Sequence, residues 1–134
     1  KFDKSYSLKN ILALVKELTV QEKVFNKLVR DKIPQIISDK GDTPVFDILN
    51  DEEYVYHLTS KLIEEAYEVK EADAFQNRLE ELADVLEVLC AIANTMNVSL
   101  EDIQKCGQNK NEKRGSFNSK IFLKKVLLTK DLDK

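Results

Sequence analysis

Apolar residues recur at helical spacing along most of this 134-residue chain. In residues 7–18, Leu8, Ile11, Leu12, Val15 and Leu18 share one side of a 100°-per-residue wheel, which predicts a short amphipathic helix. Residues 25–34 then lead into a helical turn or two that reaches Ser38, and Gly41 and Pro44 break the chain. Three longer helices follow, over about 51–73, 78–97 and 100–113. Each begins with a capping residue three positions before an acid: Asn50 with Glu53, Asn77 with Glu80, and Ser99 with Asp102. Gly115 reads as the stop of the last helix. Short connections between these helices predict antiparallel neighbours. Val45–Leu49 and residues 117–128 read as short extended segments that would pair as strands, or leave the second as a loose arm. The fold class expected is all-α, an antiparallel helical bundle.

Composition narrows the class. One domain suits this length, and a chain of this size builds a core without disulfides or metal staples. Charged residues make up 34% and Gly plus Pro only five positions, which favours helix over loop. No run of 18 apolar residues exists, so no membrane span is expected. Lys1-Phe2-Asp3-Lys4 holds neither a starting Met nor an apolar secretion segment, and no targeting signal is read from it. Cys90 and Cys106 follow no ligand spacing, and Cys90 lies in an apolar helix as a small hydrophobe would, so a reduced, cytoplasmic protein is expected. His57 is the single histidine and has no Cys or His at metal spacing, which argues against zinc.

A net charge of −3 hides an asymmetry. Residues 51–87 carry twelve acids and three bases, a balance of −9; residues 105–134 carry nine bases and three acids, a balance of +6. The two regions either neutralise each other or hold a divalent cation and a polyphosphate. The basic segment lacks the interleaved aromatics of a nucleic-acid module, so no nucleic-acid partner is expected.

The helix angles sort the acids into two sets. With Glu65 at 0°, Leu58 falls at 20°, Val69 at 40°, Leu62 at 60° and Tyr54 at 340°. Glu65 therefore lies within the apolar stripe and Glu68 at its edge, while Glu64 and Glu71 face outward. In the next helix Glu81 aligns with Val85, Val88 and Ile92, and Asp84 flanks it; Leu82, Leu86, Leu89 and Ala93 form a second apolar face. Glu80 and Glu87 face outward. Two unit charges about 4 Å apart repel by roughly 4 kcal/mol at an effective dielectric near 20. Four clustered carboxylates therefore need protonation, a basic partner such as Lys61 or Arg78, or a divalent metal. An all-oxygen set suits Mg²⁺ or Mn²⁺.

Glu64-Glu65-x-x-Glu68, twelve intervening residues, then Glu81-x-x-Asp84 resembles the signature of the MazG-like all-α nucleoside triphosphate pyrophosphohydrolases. The blocks at 26–34, 51–54, 80–86 and 113–117 resemble the small single-domain members of that group, and the likeness spans about residues 23–123. The domain organisation expected is a helical extension at 1–22, the pyrophosphohydrolase domain at 23–123 and a basic tail at 124–134. The resemblance implies an oligomer, a homodimer or homotetramer. It also implies Mg²⁺-dependent cleavage between the α- and β-phosphates of a nucleotide, with Mn²⁺ as a substitute metal. Glu65, Glu68, Glu81 and Asp84 would be the ligands, with Glu64, Glu65 and Glu81 at the chemistry and Glu64 orienting a ligand or the attacking water. Lys27, Arg30, Lys32, Lys110, Lys113 and Arg114 would reach phosphate oxygens, and Tyr67 would line the base pocket.

Two departures bear on the substrate. Phosphoribosyl-ATP pyrophosphohydrolases resemble the same group but typically carry a Tyr-His pair after the motif's Asp, where this chain has Glu87-Val88. The segment before residue 20 is an addition to the pattern. The alternatives to a triphosphate substrate are thus phosphoribosyl-ATP, or a non-catalytic helical oligomer that binds a nucleotide.

Overall fold

The computed structural model describes residues 7–18 and 20–130, with side chains for 7–15 and 20–130. Lys1–Lys4 and residues 131–134 of the basic tail lie outside the described residues, as does the side chain of Leu18. Among the described residues the chain is all-helical: α1 (Leu8–Leu18), α2 (Ile33–Asp39), α3 (Asp51–Glu71), α4 (Phe75–Thr95) and α5 (Leu100–Arg114). The chain divides into two compact units, Lys1–Pro44 and Val45–Lys134.

The first unit holds α1 and α2. The apolar stripe expected on α1 is present in sequence, yet Leu8, Ile11, Leu12 and Val15 are exposed. Pro34 sits in the first turn of α2, where its missing N–H costs nothing. At the other end Gly41, at φ +92, lets the Asp42 and Gly41 amides donate to the carbonyls of Ile37 and Ser38, a Schellman closure.

The second unit holds the long helices. Asn50 accepts a hydrogen bond from the Glu53 amide at 2.8 Å, and three acids in the first turn of α3 complement its dipole. Ser99 and Asp102 form a reciprocal capping box on α5, which ends at Gly115 with φ +79. Asn97, at φ +56, closes α4 in the left-handed conformation that asparagine tolerates, with Val98 donating to Ala93 and Asn97 to Asn94. α4 packs against α3 and, more lightly, against α5. The core is small: Leu58 (3% exposed) from α3, and Val88 and Ala93 (1%) from α4.

Two expectations are corrected. α4 begins at Phe75, not after Asn77; its N-cap is Ala74, which makes no side-chain cap. The Arg78 guanidinium instead donates to the Ala72 carbonyl at 2.6 Å and ties down the α3–α4 connection. Neither 45–49 nor 117–128 forms a strand. A turn at Phe117–Lys120, with Lys120 at φ +58, interrupts the second run, and an unpaired extended segment has no ladder to join.

Candidate metal and phosphate site

Glu65 lies two helical turns beyond the buried Leu58, on the face of α3 that meets α4. It is the buried charged residue of the described chain, 9% exposed. Glu81 and Asp84 are half-buried on the facing side of α4, two turns and one turn before Val88. Carboxylate oxygens of Glu65, Glu81 and Asp84 all lie within 4.8 Å of one another. Glu68 sits at the exposed edge, and its charge still bears on Glu81. The acids assigned outward, Glu71, Glu80 and Glu87, are exposed. Glu64 departs from that set: it is half-buried and shares a cation with Glu65.

That cation is Lys61. Its Nζ stands 3.4 Å from Glu64 Oε1 and 3.4 Å from Glu65 Oε1, one turn back along α3. Arg78 is engaged at the Ala72 carbonyl. Lys61 is shared between Glu64 and Glu65, and repulsion among the acids persists around Glu81. Glu81 shows it: partial desolvation first, then the charges of Asp84, Glu65 and Glu68, raise its carboxyl above the ordinary 4.5. A hydrogen bond with Glu65 acts in the same direction, because a protonated Glu81 donates to the Glu65 carboxylate.

The donor set fits a hard divalent cation. It is all oxygen and it converges from two helices. Opposed oxygens around Mg²⁺ at about 2.1 Å are about 4.2 Å apart, so a span of 4.8 Å closes with small side-chain shifts. Glu65, Glu81 and Asp84 would hold the ion, and Glu68 would join by a rotamer change on an exposed position.

The basic residues fall in two places. Lys110, Lys113 and Arg114 are exposed on the last turns of α5, where Lys113 and Arg114 also complement the helix dipole. Lys27, Arg30 and Lys32 belong to the first unit, where Lys27 Nζ lies 6.0 Å from the Phe25 ring and the Arg30 carbonyl accepts from the Ile33 amide. Tyr67 is exposed on α3, and His57 stacks edge-on against Tyr56 with ring centroids 5.3 Å apart. Sequence reading missed an open groove of about 360 Å³ lined by Asp51, Tyr54, Val55, Ala91, Asn94 and Thr95. It lies some ten residues along each helix from the acids, on the order of 15 Å of rise. No motif marks it.

An all-α protein with facing carboxylates from two consecutive helices is the class that this geometry defines. The profile of the family described as phosphoribosyl-ATP pyrophosphohydrolase matches residues 23–111, and the chain belongs to that family. An uncharacterized protein of Mycolicibacterium smegmatis is 46% identical over 54 residues, 40% of this chain and 55% of the relative. The chain thus spans about half the length of the curated relative it matches. No solved structure matches significantly. No single described helix is long and apolar enough to cross a membrane.

Proposed function

We propose that this chain is a Mg²⁺-dependent nucleotide pyrophosphohydrolase that cleaves between the α- and β-phosphates of a nucleoside triphosphate, releasing a monophosphate and pyrophosphate. The observation that carries the reading is the convergence of Glu65, Glu81 and Asp84 within 4.8 Å in a chain of this family. A divalent cation bound there supplies charge neutralisation for the phosphates and lowers the pKa of bound water. Burial of Glu65 fixes its rotamer, and packing of α3 on α4 holds the three carboxylates in register before substrate arrives. Lys61 keeps Glu64 and Glu65 oriented when no metal is bound, and Glu64, half-buried, aligns the attacking water. Lys27, Arg30, Lys32, Lys110, Lys113 and Arg114 are the phosphate-binding candidates.

Phosphoribosyl-ATP is the second substrate reading, favoured by the family's description. Glu87-Val88 in place of a Tyr-His pair favours the triphosphate. Incubation with a nucleotide panel and Mg²⁺, reading pyrophosphate against orthophosphate, tests both. Pyrophosphate from triphosphates is expected. Turnover of phosphoribosyl-ATP alone would replace the primary reading, and binding without turnover would make the chain a nucleotide-binding oligomer.

The working form in this reading is an antiparallel bundle built from two or four copies in the cytoplasm. Tyr56, Ile63 and Tyr67 on α3 and Leu79, Leu82 and Leu86 on α4 are exposed, which supports a second helix pair laid against the first.

A further inference from the structure

Lys61 stands at the middle of α3, three residues before Glu64 and four before Glu65. That order is the weaker one for a helix, because an acid placed four residues before a base stabilises a helix better than the reverse. The side chain is nonetheless drawn in to 17% exposure, where a lysine needs anionic partners. Its ammonium lies 3.4 Å from Glu64 Oε1, 3.4 Å from Glu64 Oε2 and 3.4 Å from Glu65 Oε1. A charge-assisted N–H···O bond closes to about 2.7–2.9 Å, so the ammonium is shared among three oxygens and locked to none of them. Helix stability gives no reason for a lysine at this position, whereas the site does.

The Glu65 carboxylate is one of the three that converge within 4.8 Å. Lys61 and a divalent ion would therefore draw on the same group. An ion held by Glu65, Glu81 and Asp84 repels an ammonium a few ångströms away, and the low dielectric of a half-buried position strengthens that repulsion. The flexible four-carbon stem lets the ammonium pivot while the helix stays in place. What it then needs is another anion close to the metal. A metal-bound polyphosphate is such an anion, and a lysine serves it as a point charge with three rotatable donors. Negative charge grows on the leaving pyrophosphate as the bond to the α-phosphate breaks, so an ammonium on that half acts where charge develops.

We propose that Lys61 is a substrate-binding residue with two positions: it rests on the Glu64 and Glu65 carboxylates while the metal site is empty, and turns to the pyrophosphate half of the substrate once an ion takes Glu65. The lysine thus keeps the acids together before the ion arrives and is delivered to the phosphates by the ion's arrival. This inference rests on the metal site and the cleavage proposed above, and adds to them a phosphate contact from within the acidic face itself. Lys70 supplies the control. It is exposed in the last turn of the same helix, and nine residues on from Lys61 it lies half a revolution round the axis.

Titration calorimetry on the full chain tests it with two probes, Mg²⁺ alone and inorganic pyrophosphate at saturating Mg²⁺. Lys61→Met should move the two in opposite directions. Mg²⁺ alone binds about tenfold tighter, because a competitor is gone, and pyrophosphate binds at least about tenfold weaker, because a charged donor is gone. Lys61→Arg keeps the charge and recovers most of the pyrophosphate affinity, and Lys70→Met leaves both bindings as in wild type. Should Lys61→Met not fold, Lys61→Gln read against Lys61→Arg gives the same contrast. Weaker binding of both probes by Lys61→Met would make the lysine structural, and unchanged pyrophosphate binding would make it a counter-ion of the empty site alone; either overturns the proposal, as does an equal loss in Lys70→Met. A wild type that binds Mg²⁺ but no pyrophosphate removes the phosphate contact and leaves the metal site standing, whereas a wild type that binds no Mg²⁺ removes both.

Discussion

Glu81 is held where its charge is least welcome in the metal-free chain. Its folded-state carboxyl titrates above the ordinary 4.5 for reasons of desolvation and three neighbouring acids. Between 4.5 and that raised value the folded state binds more protons than the unfolded one, so stability falls as pH rises through the interval. The cost is present at neutral pH and absent below 4.5. Glu81→Gln should therefore melt higher than wild type at pH 7 without metal, and the two should converge near pH 4; scanning calorimetry across that range checks it. Saturating Mg²⁺ should stabilise wild type and leave Glu81→Gln unmoved, a trade of stability for a binding site. Lys61 is the other residue-scale lever, because its ammonium occupies carboxylates that a cation needs. Lys61→Met should tighten Mg²⁺ binding about tenfold while lowering the metal-free melting temperature; titration calorimetry reads the first. A merely structural lysine would weaken metal binding on removal. Inward Glu65 and Glu81 were legible from helix angles alone, since 100° per residue fixes a face without knowing the partner. Glu64 was not: it is half-buried and pairs with Lys61, a side-chain contact that no wheel contains.

At the scale of elements, a cap starts α3 and a buried leucine anchors it in the core. Asn50→Ala removes the cap on Glu53 and should cost about 1 kcal/mol, while Leu58→Ala should cost about 3 kcal/mol by opening a hole in a small core; urea denaturation at constant slope measures both. The Asn50 and Ser99 caps and the Gly115 stop were readable because each is a local side-chain or backbone requirement. Asn77 misled because a cap needs both a suitable side chain and a chain that leaves the helix there. Ala74-Phe75-Gln76 continues the helix backward instead, and Arg78 secures the connection from inside. The strand reading of 117–128 failed for a related reason. Its apolar residues satisfy an extended pattern, but pairing is a property of two segments, and the left-handed Lys120 breaks the run.

For the whole molecule, three apolar residues are buried among those described, so the proposed assembly would supply much of the stability. The melting temperature should rise with protein concentration, and light scattering should report a dimer or tetramer. The carboxylate face itself is completed within α3 and α4 of one chain. The proposed cleavage requires this inward face and not acidity at large. Its most direct measurement is Mg²⁺-dependent pyrophosphate release from a nucleoside triphosphate by wild type, Glu81→Gln and Glu87→Gln in parallel. Release by wild type, near-wild-type release by Glu87→Gln, and a loss of at least about a hundredfold for Glu81→Gln are expected. Equal losses in the two variants, or orthophosphate in place of pyrophosphate, would contradict it.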